Sequence, residues 1–317
     1  MLSNKILIRF IAALLFFLFP LTVSAGDPVA VGTWKTAQTI QPFFYNRFLP
    51  ATMKTQIFSF TNPADQKTAL LAGSLDMCGT TLAHAIYSAS AGQPIVIVAS
   101  LCNKCSALVV KKDGPIKSEA DLKGKTIGYV PGTMHEILLR ETLIRNGISP
   151  EKDVKLIRVD FFDMGTALAG GNIDAFLSGE PFPTLAVKKG YGRILSYPYY
   201  GDSVGTINAG MIVRRKSIEK NPEKVAALVL AHARATDFLS GHPADWLSRA
   251  AEFGTPIEVL EAAAPNMELA WKMDSTYIEQ AKTLGRRMQA LGIIDKQPDY
   301  DRLFDLSFVR QARETLK

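Results

Sequence analysis

The chain has 317 residues, of which 47% are hydrophobic and 21% are charged, and its formal net charge is +6. The basic residues are spread along the chain among acidic ones, which argues against a nucleic-acid-binding surface and is typical of a solvated one. A chain of this length usually forms two domains or one large one.

The first 25 residues have the pattern of a cleavable secretory signal. Lys5 and Arg9 precede an apolar run over residues 11–21, and small residues lead up to Ala25. The apolar run is too short to cross a bilayer core of about 30 Å as a helix. We therefore expect a mature chain that begins near Gly26, is exported to the periplasm and has no lipid anchor, because no cysteine lies near the cleavage site. An uncleaved N-terminal anchor is the alternative.

The rest of the chain predicts strands alternating with helices. In the first half the predicted elements are VAVGTW, QTIQPFFYNRFLPATM, TQIFSF, PADQKTALLAGS, LDMCGTT, LAHAIYSASA and QPIVIVAS. The second half repeats the alternation over KTIGYVPG, TMHEILLRETLIRNGI, VKLIRVDF, FDMGTALAGG, NIDAFLSGE and FPTLAVKKG. Such alternation predicts a mainly parallel sheet flanked by helices. After Pro222 the pattern is mostly helical, and we expect these helices to pack on the first lobe.

An internal repeat at a constant offset of 98 residues divides the chain. Residues 68–78 read TALLAGSLDMC and residues 166–176 read TALAGGNIDAF. The repeat predicts two lobes of similar topology with a ligand cleft between them. Lobe one is expected to be discontinuous, over 26–109 and 210–317, and lobe two to span 110–209. Asp76 and Asp174 are equivalent in the repeat, so we interpret each as a turn residue rather than as half of an acid–base pair.

Several stretches resemble a known family when taken in order: LLAGSLDMCGTT at 70–81, IKSEADLKGKTIGY at 116–129, GTMHE at 132–136, GNIDAFLSGEPFP at 171–183 and LGIIDKQPDYDRLFDLSFVRQA at 291–312. They resemble the periplasmic solute-binding proteins of ABC importers, in the nitrate/sulfonate/taurine group that also includes thiamine-pyrimidine-precursor binders. The resemblance implies an α/β, two-lobed periplasmic-binding-protein fold of type II.

The resemblance also implies what the chain does. Such a protein captures a small organic solute in the cleft and delivers it to a membrane permease with its ATPase. It is expected to be a monomer that binds no nucleic acid, has no catalytic residue, and needs no metal or cofactor.

Candidate contacts of lobe one follow its strands. Trp34 could form an apolar wall and Lys35 a counter-charge for an anion, whereas simple packing at a helix entry is the alternative for the tryptophan. Cys78, Thr80 and Thr81 lie in the loop that follows the third strand of lobe one, where the resemblance implies ligand contacts. Helix capping alone would also explain the two threonines.

In lobe two, Gly132 and Thr133 precede a helix whose free backbone N–H groups suit an anion, although Thr133 and Glu136 also fit a capping box. His135 could contact the ligand or face solvent. Glu180 is the candidate charged contact, with a salt bridge or a hinge role as the alternative.

The solute class stays open between two chemistries. Lys35 and the helix start at Thr133 suggest an anion such as a sulfonate or a nitrate-like oxyanion. Trp34 suggests instead a pyrimidine-like heteroaromatic, and so do three phenylalanines, at 161, 162 and 182.

Cys78, Cys102 and Cys105 are expected to gather near the cleft mouth, with Cys102 just past the fourth strand. In an oxidising compartment two of them are expected to form a disulfide, either Cys102–Cys105 or Cys78–Cys102.

Two other functions compete with solute binding. A thiamine-pyrimidine-synthase-like enzyme shares the fold family, but an export signal contradicts a cytosolic role. A metal- or thiol-handling protein would use the cysteines, although a zinc site lacks a fourth ligand in the neighbouring sequence.

Overall fold

The computed structural model describes residues 28–199 and 204–317. The secretory signal expected over residues 1–25 lies outside the described residues. Within these two ranges, no helix is both long enough and apolar enough to cross a membrane.

Eleven strands are described, in chain order: β1 Val29–Trp34, β2 Thr55–Phe60, β3 Met77–Thr81, β4 Ile95–Lys104, β5 Ser106–Lys111, β6 Thr126–Tyr129, β7 Lys155–Arg158, β8 Ala175–Gly179, β9 Gly192–Ser196, β10 Ile207–Arg214 and β11 Met267–Leu269. Twelve α-helices are described: α1 Pro63–Ala72, α2 Leu82–Ser90, α3 Met134–Arg145, α4 Met164–Ala169, α5 Phe182–Lys188, α6 Arg215–Lys220, α7 Pro222–Gly241, α8 Pro243–Ala251, α9 Ile257–Ala263, α10 Ser275–Ala290, α11 Tyr300–Leu303 and α12 Ser307–Thr315.

The strands form two sheets that repeat one another. The first has the order β2-β1-β3-β10-β4-β11, and the second has the order β7-β6-β8-β5-β9. In each sheet the first three strands are parallel, and the fourth runs antiparallel to its neighbours. The fourth strand of each sheet, β10 or β5, adjoins the segment where the chain crosses from one sheet to the other. The expected two-lobed α/β fold is confirmed.

The chain changes sheets at a sharp turn between β4 and β5. Lys104 and Cys105 both have left-handed backbone conformations, with φ of 58° and 76°. A residue with a Cβ adopts this region only at a cost of roughly 1–2 kcal/mol, so surrounding contacts must hold the turn. A lobe division that follows the sheets passes through Cys105, whereas the division expected from sequence lies at 109/110, inside β5. The precise lobe bounds stay a prediction.

Two elements differ from their predicted form. The segment after β1 was expected to be a regular helix but forms short 3-10 turns over Ala37–Thr39 and Gln41–Arg47. Gln41 and Tyr45 of this segment are fully buried, and Gln41 Nε2 donates to the Leu101 carbonyl oxygen at 2.8 Å, so tertiary contacts rather than helix propensity set its backbone. Strand β4 is longer than predicted and includes Cys102, because its buried residues pair with β10 on one side and with β11 on the other.

Asp76 and Asp174 each bond backbone within their own lobe and form no acid–base pair, as the repeat indicates, but they bond to a neighbouring strand rather than within their own turn. The Oδ2 atom of Asp76 accepts a hydrogen bond from the backbone N–H of Ala30 at 2.9 Å, and that of Asp174 accepts one from Thr126 at 2.9 Å. Each carboxylate therefore fastens the start of its strand to the first parallel strand of its own sheet. The two carboxylates do not form a common site.

The helical tail packs on the first sheet, as expected. Helices α11 and α12 lie against β4, and α7 packs on the 3-10 segment after β1. Polar contacts support this arrangement, and among them the Trp246 Nε1–H donates to the Ala37 carbonyl oxygen at 2.7 Å. The tail therefore holds the turn that follows β1, which forms one wall of the cavity described below.

Candidate functional site

A cavity lies between the two sheets at the carboxyl ends of their parallel strands. The space between its walls, part of which is open to solvent, is about 480 Å³. Its walls are Trp34, Thr36, Gln38, Thr39, Thr81, Cys102, Cys105, His135, Phe161, Phe162, Gly179, Phe182, Asn208 and Ala209. Open α/β sheets place ligands at this edge, and here both sheets contribute.

Four of the ten residues expected to contact a solute line this cavity. Trp34 ends β1, Thr81 ends β3 and Cys102 lies in β4, so all three come from the first sheet. His135 comes from the first turn of α3, on the other side. The strand-exit argument therefore identified side chains that the fold brings together across the lobes.

The other residues expected from the first lobe lie off the cavity. Lys35 is exposed and absent from the wall, so it offers no counter-charge there. Cys78 is completely buried, and burial raises the pKa of its thiol well above the usual range. Thr80 is buried as well, and its Oγ1 has no hydrogen-bond partner among the described residues.

The start of α3 satisfies some of its own backbone N–H groups. The Gly132 N–H donates to Glu136 Oε2 at 2.7 Å, and the Glu136 N–H donates to Thr133 Oγ1 at 3.3 Å. Thr133 in turn donates its hydroxyl hydrogen to the Val130 carbonyl oxygen at 2.7 Å. Because the carboxylate of Glu136 already lies where an anion would bind, this helix start has less to offer a charged solute than the sequence suggested.

Glu180 bridges the lobes instead of facing the cavity. Its Oε2 accepts from the Thr184 N–H at 3.1 Å, and its Oε1 accepts from Asn266 Nδ2 at 3.3 Å. Burial raises the pKa of the Glu180 carboxyl, and the hydrogen bonds from Thr184 and Asn266 oppose that rise. Since Asn266 directly precedes β11 of the first sheet, Glu180 ties the exit of β8 to the other lobe.

All three cysteines are free thiols, so the expected disulfide is not present. Cys102 and Cys105 both line the cavity, and Asn208 Nδ2 lies 3.1 Å from Cys105 Sγ. The neighbouring Cys102 and burial together raise the pKa of the Cys105 thiol well above its usual range. In the described part of the chain, no three histidine, cysteine or acidic side chains are grouped so as to hold a metal ion.

His135 is a buried, neutral member of the wall. Burial lowers the pKa of its imidazole from 6.5 to about 4. Its Nδ1 lies 2.8 Å from Ser106 Oγ, and its ring meets Phe161 edge to face at a centroid distance of 5.5 Å. A second edge-to-face pair, Phe162 and Phe182 at 5.0 Å, extends the aromatic surface. This surface suits a flat apolar body with a few polar groups.

Sequence reasoning missed the polar residues of the wall that lie outside recognisable motifs. Thr36 lies just before the 3-10 turn that follows Trp34, Gln38 lies within it, and Asn208 lies on the returning strand β10. Thr36 and Gln38 could have been predicted as wall residues from their position just after the first strand. Asn208 could not be found in this way, because only the crossing of the chain between sheets brings it to the cavity.

Comparisons with known proteins agree with this architecture. The sequence pattern of the family described as NMT1/THI5 like matches residues 48–245. A Brucella abortus (strain 2308) protein named as a binding protein is 31% identical over 199 residues, which are 61% of this chain and 60% of that protein. A Haemophilus influenzae protein named for thiamine biosynthesis is 28% identical over 69% of this chain and 68% of its own length. The chain thus spans about 60% of the length of the curated relatives it matches first.

Solved structures share the fold at low sequence identity. The alkanesulfonate-binding protein SsuA of Xanthomonas axonopodis pv. citri, bound to MOPS, has a TM-score of 0.79 at 19% identity, covering 88% of this chain and 98% of its own. The periplasmic nitrate-binding protein NrtA of Synechocystis PCC 6803 has a TM-score of 0.75 at 16% identity, covering 92% and 89%. The desulfurization enzyme DSZB has a TM-score of 0.68 at 14% identity, covering 91% and 100%. The same architecture therefore occurs in binding proteins and in an enzyme.

Proposed function

The chain belongs to the NMT1/THI5-like family, and on that premise we propose that it is the extracytoplasmic binding component of an ABC importer. It captures a small organic solute in the cavity between its sheets and delivers it to a membrane permease, which an ATPase drives. The observation that carries this proposal is the cavity itself, which is walled by side chains from both halves of the repeat. The protein acts in the periplasm and as a monomer.

The two-sided cavity supplies the physical basis for transport. Trp34 and Cys102 contact a solute from strands of the first sheet, while His135 and Phe182 contact it from helices α3 and α5 on the other side. A solute that touches both lobes stabilises the closed arrangement over an open one by its differential affinity. A permease that recognises the closed form then receives loaded protein, and the solute itself undergoes no chemical change.

The composition of the wall favours a neutral, ring-bearing solute over a sulfonate or an oxyanion. Among the described wall residues none carries a charge, and four are aromatic rings of tryptophan or phenylalanine. Lys35 is exposed, and the backbone N–H of Gly132 is already bonded to Glu136. An anion would lose its hydration without gaining a counter-charge, which is costly in a buried site. A pyrimidine-like ring would instead fill the aromatic surface.

Enzymatic activity is the second candidate, because DSZB shares the fold. A thiamine-pyrimidine-synthase-like reaction or a thiol chemistry would have to use groups in this cavity. The Cys105 thiol has a raised pKa and is therefore protonated, which makes it a poor nucleophile. The residues described here thus favour binding, and turnover of a probe would identify the alternative.

A thermal-shift panel tests the proposal. Purified protein is heated with taurine, nitrate, cytosine, aminopyrazine or Zn²⁺. A saturating ligand adds about 2.7 kcal/mol of stability at a hundred times its dissociation constant, which raises the unfolding temperature by several degrees. We expect stabilisation by the neutral rings and none by Zn²⁺. Stabilisation by taurine or nitrate alone contradicts the proposed solute class, and conversion of any probe contradicts a pure binding role.

A matched pair of variants locates the binding site. A Cβ at Gly179 would lie 3.1 Å from His135 Nε2 and 3.2 Å from Cys105 Sγ, so Gly179→Ala places a methyl group in the wall. A Cβ at Gly241 meets nothing within 4 Å, which makes Gly241→Ala the control. The ligand-induced shift should vanish in the first variant and persist in the second.

A further inference from the structure

A chain of hydrogen bonds runs from His135 to the turn where the chain changes sheets. His135 Nδ1 lies 2.8 Å from Ser106 Oγ, which lies 2.9 Å from the Tyr199 hydroxyl oxygen. Asn208 Nδ2 lies 2.8 Å from that same hydroxyl oxygen and 2.7 Å from the Lys104 carbonyl oxygen. The Tyr199 hydroxyl also contacts the Lys104 carbonyl oxygen directly. This series of hydrogen bonds ends on His135, whose ring lines the cavity. The residues of the series can therefore affect how the cavity binds a solute.

The direction of each hydrogen bond follows from counting hydrogens. The Lys104 carbonyl oxygen can only accept, so the amide of Asn208 must turn its NH₂ group toward it. Ser106 Oγ and Asn208 Nδ2 donate to the Tyr199 hydroxyl oxygen at 2.9 and 2.8 Å, so the hydrogen of Tyr199 itself turns to the Lys104 carbonyl oxygen. Tyr199 has no second hydrogen to give, and its lone pairs receive Asn208 and Ser106. The hydrogen of Ser106 is therefore committed to Tyr199.

Because Ser106 donates its only hydroxyl hydrogen to Tyr199, it has none left to donate to His135. Its oxygen can only accept there, so His135 Nδ1 must carry the hydrogen. The imidazole is neutral, because burial lowers its pKa to about 4. A neutral imidazole with a hydrogen on Nδ1 has a lone pair on Nε2. Among the described residues Nε2 has no hydrogen-bond partner, and it lies at the wall beside Gly179.

We propose that Ser106, Tyr199 and Asn208 fix the tautomer of His135, and that the cavity thereby selects solutes that present an N–H or O–H donor to Nε2. This inference rests on the proposed solute-binding function and gives it a chemical requirement. Ser106 and Tyr199 are positioning residues, since they act through His135.

Two further wall residues, Thr36 and Gln38, also present hydrogen-bond acceptors. Thr39 Oγ1 donates to the Trp34 carbonyl oxygen, so the 2.9 Å bond between Thr36 and Thr39 must use the hydrogen of Thr36. Thr36 is thus left with lone pairs alone. The Oε1 atom of Gln38 is buried without a partner. A donor on the solute satisfies these acceptors, and a ring acceptor satisfies the Nε1–H of Trp34, which is also buried without a partner among the described residues. Nitrate has lone pairs and no hydrogen, so it leaves the acceptors unsatisfied.

The tautomer can be read without any ligand. Protein with ¹⁵N-labelled histidine is examined by long-range ¹H–¹⁵N spectroscopy at neutral pH, and His135→Gln assigns the signals. We expect His135 to show a protonated Nδ1 and an unprotonated Nε2. A protonated Nε2 in the wild-type protein overturns the inference.

Two variants test the positioning residues. Tyr199→Phe frees the hydrogen of Ser106 to bond Nδ1, so the hydrogen of His135 should move to Nε2. Ser106→Ala removes the acceptor at Nδ1 and should give a mixture of tautomers. Ser178→Ala, which removes a buried hydroxyl without a partner in β8, is the control and should leave the spectrum unchanged. An unchanged spectrum in folded Tyr199→Phe also overturns the inference.

Selectivity is measured with aminopyrazine and methylpyrazine, which have similar shapes and differ in the donor. We expect the wild-type protein to prefer aminopyrazine roughly tenfold, the equivalent of one hydrogen bond, and Tyr199→Phe to lose that preference. Equal affinity for both probes in the wild-type protein contradicts the selection of donors. Different results contradict the two proposals. If neither aminopyrazine nor methylpyrazine binds, the proposed solute class is wrong, whereas the proposed tautomer of His135 is decided by the spectrum alone.

Discussion

Three buried histidines predict that the protein loses stability steeply in mild acid. His84, His135 and His232 are all buried, and burial lowers the pKa of each imidazole from 6.5 to about 4. The unfolded chain binds a proton on each ring below about pH 6.5, whereas the folded chain does not until about pH 4. In that window the unfolded state holds more protons, so acidification favours unfolding.

The magnitude follows from the same pKa values. Between about pH 7 and about pH 5, each histidine with these values lowers the free energy of unfolding by about 1.8 kcal/mol. Three such groups give about 5 kcal/mol, which is a large part of the 5–15 kcal/mol typical of a folded protein. The raised pKa of Glu180 acts in the opposite direction, because its folded form takes up a proton earlier than its unfolded form. It offsets part of the loss.

Urea unfolding followed by circular dichroism at several pH values measures this effect. His84→Gln is the least disruptive test, since no side chain among the described residues bonds the His84 ring, which lies beside the Gly132 backbone. It should reduce the pH dependence by about a third. His242→Gln, at an exposed ring, is the control and should leave the dependence as it is. A wild-type stability that stays flat from neutral pH to about pH 5 would refute the reasoning.

Three further predictions concern stability. Tyr45→Phe removes the hydroxyl that lies 2.9 Å from Nδ1 of buried His232, and the free energy of unfolding should fall by about 1–3 kcal/mol in urea titrations; no change would contradict this role. Gly32→Ala places a Cβ 2.7 Å from a Leu75 methyl group, so it should cost about 1–3 kcal/mol by calorimetry while Gly241→Ala costs less than half as much. Asp174→Asn weakens the bond to a strand start and should lower the unfolding temperature by a few degrees without changing any ligand-induced shift; an altered shift would place this carboxylate in the site.

The repeat made the fold predictable from the sequence. Its offset of 98 residues takes β3 at Met77–Thr81 onto β8 at Ala175–Gly179. The equivalence of Asp76 and Asp174 correctly excluded a shared acid–base site, because a residue that recurs once in each lobe serves that lobe, although each bonds another strand rather than its own turn. The strand exits after β1 and β3 then indicated Trp34 and Thr81 as wall residues.

Features set by long-range contacts could not be predicted in this way. The left-handed turn at Lys104 and Cys105 contains no glycine, so the sequence gives no local signal for it. The turn depends on two distant carbonyl oxygens: that of Thr206 accepts from the Lys104 N–H, and that of Asn266 accepts from the Cys105 N–H. The same holds for Asn208, which reaches the cavity only through the return of the chain to the first sheet. A local motif can propose a helix cap at Thr133, but only the structure shows where the side chain of Glu136 lies.

Calorimetric titration tests the central claim most directly. The neutral ring that gives the largest thermal shift is titrated into the wild-type protein, into Gly179→Ala and into Gly241→Ala. Binding in the cavity predicts saturation at one molecule per chain in the wild-type protein and in Gly241→Ala, with heat lost in folded Gly179→Ala. Equal affinity in all three proteins would contradict binding between the sheets.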